Sequence, residues 1–168
     1  MALTLDASHG GTSANSYATL ASASDYLQRN IHTYTAWSSL STANAEACLI
    51  WATSLLDKQM AWNGVKAEDA QARRWPRESV SDPDGYAVDS ESLPKFLIEA
   101  TAEYARWLSV EDRTAESPTK GFSRLEAGGI AAYINAKDRP KIIPPIVFEM
   151  ITAYGTISTS TSRVLVRR

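Results

Sequence analysis

The sequence predicts a mainly α-helical protein: a small bundle of about four helices, with a β-hairpin, long loops and an extended C-terminal arm. Apolar residues recur at three- and four-residue spacing in four separate segments, which is the periodicity of amphipathic helices. One later segment alternates about a pair of glycines, as a hairpin does. The 168 residues fit a single domain, which we place at residues 1–154 with the hairpin near 120–136, followed by an arm over residues 155–168.

The N-terminal part of the chain predicts a short strand and one short helix. Leu3 and Leu5 alternate with polar residues before a loop rich in Gly, Ser and Asn. Thr19 belongs to a residue type that caps helix N-termini, and apolar side chains follow it at helical spacing to about Asn30. The aromatic segment 31–40 is predicted to be a loop.

The second predicted helix is the most apolar one. It begins at Ser41 or Thr42, both good N-cap residues, and ends at about Gln59. Residues at three- and four-residue steps form one stripe, which we predict to face the core with two leucines on its flanks. The stripe is Ala43, Ala47, Ile50, Trp51, Ser54, Leu55 and Lys58, and the flanking residues are Leu49 and Leu56.

A long connection with little periodicity then leads to the clearest helix of the chain. Residues 60–92 contain two glycines and two prolines, and a connection of this length inside a compact domain usually carries function. Leu93-Pro94 begins a third helix that continues to about Asp112.

The C-terminal part predicts the hairpin, a last helix and the arm. Residues 122–134 alternate about the glycine pair. Two prolines open a helix from Pro144 to about Tyr154. The residues beyond contain no acid and alternate valine with arginine or leucine near the end, so we predict an extended arm rather than a core element.

Composition and motifs give little support for a membrane protein, a secreted protein or an enzyme. No apolar run approaches the roughly 20 residues that span a bilayer, and residues 1–6 lack the features of a signal peptide. His9 and His32 lie in polar segments, and the motifs of P-loop, dinucleotide-binding and zinc-protease sites are absent. Cys48 lies in an apolar helical pattern, which predicts a buried and inert thiol. We therefore predict no catalytic residue, no metal ligand and no cofactor.

The stretch RRWPRESVSDPDGYAV, residues 73–88, admits three interpretations. Asp82 and Asp84 match part of a calcium loop, but Val80 stands where the first carboxylate is needed. The alternative for these residues is a turn in which the two aspartates accept hydrogen bonds from nearby backbone amides and Gly85 supplies a positive φ. Arginines around Trp75 could hold phosphates while the indole stacks on bases, although the nearby acids would repel a phosphate backbone. Alternatively, the Trp-Pro pair packs onto the helices and the arginines bridge to acids within this chain or a partner.

Four segments resemble the head-tail adaptor, or head-completion, proteins of tailed bacteriophages. They are ANSYATLASASDYLQ, AEACLIWATSLLDKQMAWNGVKA, QARRWPRESVSDPDGYAV and LPKFLIEATAEYARWL. The most specific parts are Asn15-Ser16-Tyr17, Trp75-Pro76-Arg77, and Asp84-Gly85-Tyr86 followed by Leu93-Pro94. A glycine is common in that family where Ser79 stands here, which leaves the local turn open. Similar sequences are also labelled DnaT-like single-stranded-DNA-binding proteins, and this label supplies the alternative function.

The resemblance implies a structural protein that performs no chemistry and uses no cofactor. Such subunits assemble as a ring, a dodecamer in the family, below the portal vertex. The ring extends the channel for passing double-stranded DNA, without sequence specificity, and docks the tail or the next neck protein. The implied location is the virion neck, after synthesis in the host cytoplasm.

We assign three contact regions on this basis. The arm is predicted to bind the portal protein through Arg163, Val164, Leu165, Val166, Arg167 and Arg168. An interface with sister subunits or the tail is predicted at Arg73, Arg74, Trp75, Arg77, Asp82, Asp84 and Tyr86. The residues predicted to face the channel are Glu126, Gly128 and Gly129.

Overall fold

The computed structural model describes residues 3–115, 124–127, 130–133 and 141–158. Within these ranges the protein is mainly α-helical, as predicted, and none of its helices is both long and apolar enough to cross a membrane. The α-helices are α1 Leu20–Leu27, α2 Ile31–Ser38, α3 Thr42–Gln59, α4 Lys95–Val110 and α5 Pro145–Ile151. The strands are β1 Met60–Trp62, β2 Val65–Lys66, β3 Arg77–Glu78, β4 Arg124–Ala127, β5 Ile130–Tyr133 and β6 Gly155–Ile157.

The predicted N-terminal caps of α1 and α3 are confirmed. The Thr19 hydroxyl accepts a hydrogen bond from the Ser22 amide, and the Ser22 hydroxyl accepts one from the Thr19 amide, which completes a capping box. Ser41 accepts from the Asn44 amide at 3.2 Å at the start of α3. Each cap satisfies amides that the first helical turn leaves without a partner.

Two predictions for the N-terminal part are wrong. Residues 31–40 contain helix α2, which Asn30 caps by accepting from the His32 amide at 3.2 Å. Trp37 is the one buried residue of α2, so no apolar periodicity indicates this helix in the sequence. The segment around Leu3 and Leu5 forms no strand. Asn15 holds it instead, by accepting from the Asp6 amide and donating to a carbonyl at residue 4, both at 2.8 Å.

Helix α4 is the centre of the fold, because α1, α3 and α5 all pack against it. Leu97, Ala100 and Tyr104 of α4 are fully buried. The face of α3 that meets this core differs from the predicted stripe, of which only Leu55 is buried. The buried residues of α3 are Ala45, Leu49, Ala52, Thr53, Leu55 and Leu56. Since α3 is apolar on several sides, its periodicity allowed two solutions, and packing against α4 selected between them.

The other members of the predicted stripe lie exposed or half-buried on the opposite side of α3. We call this surface the outer face of α3. It consists of Ala43, Ala47, Ile50, Trp51, Ser54 and Lys58.

The last described residues belong to the domain rather than to a free arm. After α5 the chain makes a 3-10 turn at Thr152–Tyr154 and then forms β6, which pairs antiparallel with β1. The pairing sets Ile157 opposite Met60. Residues 155–157, which were predicted to begin the arm, are therefore part of the domain.

The hairpin predicted in the C-terminal part is confirmed. Strands β4 and β5 pair antiparallel, with Arg124 opposite Tyr133 and Ala127 opposite Ile130. Its predicted channel residue Glu126 lies on β4 opposite Ala131, whereas the glycine pair between the strands lies outside the described residues.

Candidate functional site

The tryptophan of the Arg-Arg-Trp-Pro-Arg segment is buried in the domain. Trp75 is 1% exposed and makes edge-to-face contacts with Trp62, at 5.7 Å between ring centroids, and with Phe96, at 5.5 Å. Phe96 in turn stacks on Tyr154 at 3.6 Å. These rings join the long connection to β1, α4 and the 3-10 turn. Trp75 is therefore a core residue in this conformation and offers no face on which a base could stack.

Arg77 holds the long connection together. Its Nε donates to a carbonyl oxygen at residue 63 and its Nη2 to that of Gly64, both at 2.6 Å, while Nη1 donates to the Arg74 carbonyl at 3.0 Å. The residue is 9% exposed, and burial lowers the pKa of Arg77 from its ordinary value. A guanidinium surrounded by backbone acceptors is already occupied. Arg77 therefore stabilises the loop and does not face a phosphate or a partner.

Tyr17 connects three parts of the chain. Its hydroxyl donates to the Asp57 carboxylate of α3 and accepts from the backbone amides of Arg74, at 3.1 Å, and Trp75, at 3.3 Å. Its own amide donates to the Thr53 hydroxyl at 3.1 Å. Burial raises the pKa of Tyr17 well above its ordinary range, and the negative charge of Asp57 acts in the same direction. The pKa of Asp57 is also raised by burial, against the lowering effect of the tyrosine hydrogen bond.

The other two arginines point mostly to backbone as well. The Nε of Arg73 donates to the carbonyl of Ala14 at 3.1 Å, and its Nη1 lies 3.9 Å from Asp57 Oδ2. Arg74 donates to the Met60 carbonyl at 3.1 Å, although much of its side chain is exposed. The interpretation that the tryptophan packs inward is thus correct. Of the three arginines in this segment, however, only Arg73 bridges to an acid within the described residues.

Two polar residues of this cluster, Gln71 and Asp57, were not predicted to have a role. Gln71 is 3% exposed; its side-chain amide donates to the carbonyls of Arg73, at 2.8 Å, and Pro76, at 3.1 Å. Nothing in the local sequence marks Gln71 as buried. The partial burial of Asp57 could have been predicted from the sequence. Asp57 is the one acid in the second half of α3 and follows the two buried leucines at positions 55 and 56.

Asp82 and its neighbours form a tight turn at the surface. Asp82 Oδ1 accepts from the amides of Asp84, at 3.0 Å, and Tyr86, at 2.8 Å, and Gly85 has φ of +89°. The described residues contain no group of three or more potential metal-binding side chains, and Val80, at the first position of the calcium overlay, is buried. The turn leaves Tyr86 at the surface, where the residue is 74% exposed.

Ser79 occupies a left-handed backbone conformation with φ of +57°. Glycine adopts this conformation without steric cost, whereas a serine is strained. The adaptor proteins that the sequence resembles often have a glycine at this position, and a glycine would adopt this turn without strain.

The predicted interface residues thus share a segment but not a surface. Arg73, Trp75 and Arg77 are directed inward, whereas Asp84 and Tyr86 face solvent. The predicted portal residues 163–168 lie outside the described part of the chain.

Among the described residues, two other surfaces are apolar and exposed: the first was predicted to face the core, and the second was not predicted. On the outer face of α3, Trp51 is 41% exposed, and Lys58 Nζ lies 5.2 Å from its ring centroid. A groove of about 520 Å³ lies between α5, β6 and the end of α3. We call it the α5 groove. It is lined by Gln59, Lys141, Ile142, Ile143, Pro145, Phe148, Glu149 and Ile157.

Comparison with known proteins gives a family but no individual relative. No curated protein and no solved structure matches the chain. A family model described as "Putative DnaT-like ssDNA binding protein" matches residues 1–167. Because that match covers nearly the whole chain, the protein belongs to the family that carries this description.

Proposed function

We propose that this chain is a structural subunit of the neck of a tailed bacteriophage, a head-tail adaptor. Its partners would be copies of itself in a ring, a dodecamer by resemblance, together with the portal protein and the tail or next neck protein. The proposal assigns no catalytic residue and no cofactor. It places the chain in the virion, with double-stranded DNA passing through the ring without sequence-specific contact.

The observation that carries this proposal is the internal use of the arginine–tryptophan segment. Trp75 packs between Trp62 and Phe96, and Arg77 donates three hydrogen bonds to backbone carbonyls. The groups best suited to hold a single strand are therefore engaged in fastening the loop. Such fastening supports a structural role, because a rigid loop presents Tyr86 to a partner at little cost in conformational entropy.

Charge and exposed apolar surface support the same role. The formal net charge of −2 gives no overall attraction to nucleic acid, which an adaptor must allow to slide. Meanwhile Trp51, Ile142 and Ile157 expose apolar surface that protein partners commonly cover. A closed ring of identical copies needs two unlike surfaces, and the outer face of α3 differs in shape from the α5 groove.

Electron microscopy of mature particles and of tail-less heads tests the location. We expect density for this chain between portal and tail, in a ring of copies. Particles with a complete neck that lacks this chain would refute the proposal.

Deletion of residues 159–168 tests the portal-binding arm and keeps every described helix and strand in the chain, since β6 ends at Ile157. We expect the truncated protein to fold normally and to fail to attach to heads. Attachment at the wild-type level would show that the arm is not the portal contact. The location of the chain would then be tested by microscopy alone.

Single-stranded-DNA binding is the second candidate, and the family description favours it. On the described surface, Trp51 with the neighbouring Lys58 is the best pairing of an exposed ring with a cation. Titration of an oligonucleotide at several salt concentrations tests this function. Affinity that falls steeply with salt and is lost in Trp51→Ala, together with absence from particles, would establish the second candidate instead of the first.

A further inference from the structure

We draw no further inference here: the strongest candidate, the α5 groove between α5, β6 and the end of α3, carries none, because nothing in the described part of the chain shows what covers it.

Discussion

Replacing Tyr17 by phenylalanine tests whether the hydrogen bonds of the Tyr17 hydroxyl fasten the arginine–tryptophan segment, residues 73–77, to α3. The substitution keeps the buried ring and removes one oxygen. That oxygen donates to the Asp57 carboxylate and accepts from the amides of Arg74 and Trp75. Without it, two backbone donors and one carboxylate oxygen lose a partner in a place that water hardly reaches.

The expected cost follows from these three contacts. A neutral hydrogen bond contributes about 0.5–1.5 kcal/mol net and one to a charged group about 1.5–3 kcal/mol. Their simple sum is an upper range, because contributions within one network are not additive and Arg73 still lies near Asp57. We expect Tyr17→Phe to lower the free energy of unfolding by about 3 kcal/mol at neutral pH, a large part of the stability of an ordinary domain.

Urea unfolding measures this cost. With a slope of about 2 kcal/mol/M, the midpoint should fall by about 1.5 M while the slope itself stays unchanged. The matched control is Tyr86→Phe, at a side chain that is 74% exposed, which should change stability by less than about 0.5 kcal/mol. If Tyr17→Phe cost no more than the control, the hydroxyl would not hold the loop, and the structural explanation of the segment would be wrong.

Three further predictions concern the backbone and the buried tyrosines. Ser79→Gly should raise the free energy of unfolding by about 0.5–1 kcal/mol, because φ is +57°; a lowered urea midpoint would contradict this. Gly64→Ala should destabilise more than Gly10→Ala, since both have positive φ but only the former places a Cβ 2.1 Å from a carbonyl oxygen; equal midpoints would refute the steric argument. Burial raises the pKa of Tyr17 and Tyr104, so the folded chain keeps protons that the unfolded chain releases above about pH 10. Unfolding free energy should therefore fall there by about 1.4 kcal/mol per pH unit for each, and Tyr104→Phe should flatten the slope.

The hydrogen bonds of Tyr17 and Arg77 also bear on the proposed contacts with partners. With the loop fastened at Tyr17 and Arg77, the turn that carries Tyr86 is held against a stable domain. Under the proposed neck role, a substitution at Tyr17 or Arg77 should therefore weaken partner binding indirectly, through loss of loop order, whereas Tyr86→Ala should weaken it with stability unchanged. Comparing urea midpoints with attachment to heads for the two variants separates these effects.

Local signals were sufficient for part of the candidate site. The turn at Asp82 depends on amides two and four residues along the chain, and its glycine takes a positive φ, so residue types alone indicated it. Apart from the Arg74 carbonyl, three residues before Arg77, the partners of Arg77 and Tyr17 could not be found in this way, since they lie 13 to 58 residues away in the sequence. The sequence cannot show whether an arginine donates to a backbone carbonyl or faces a partner, because only the folded chain brings the distant carbonyls beside it.

The sequence by itself determined the mainly helical class, helices α1, α3 and α4 with their starts, and the hairpin. Caps and apolar periodicity act within a few residues, so they can be recognised before the chain is folded. Only the tertiary structure decided which side of α3 is core and that β6 pairs with β1. It also decided that the arginine–tryptophan segment is directed inward. Each of these outcomes depends on contacts between distant segments: an apolar helix buries whichever face its neighbour covers, and a guanidinium binds the nearest acceptors that the fold provides.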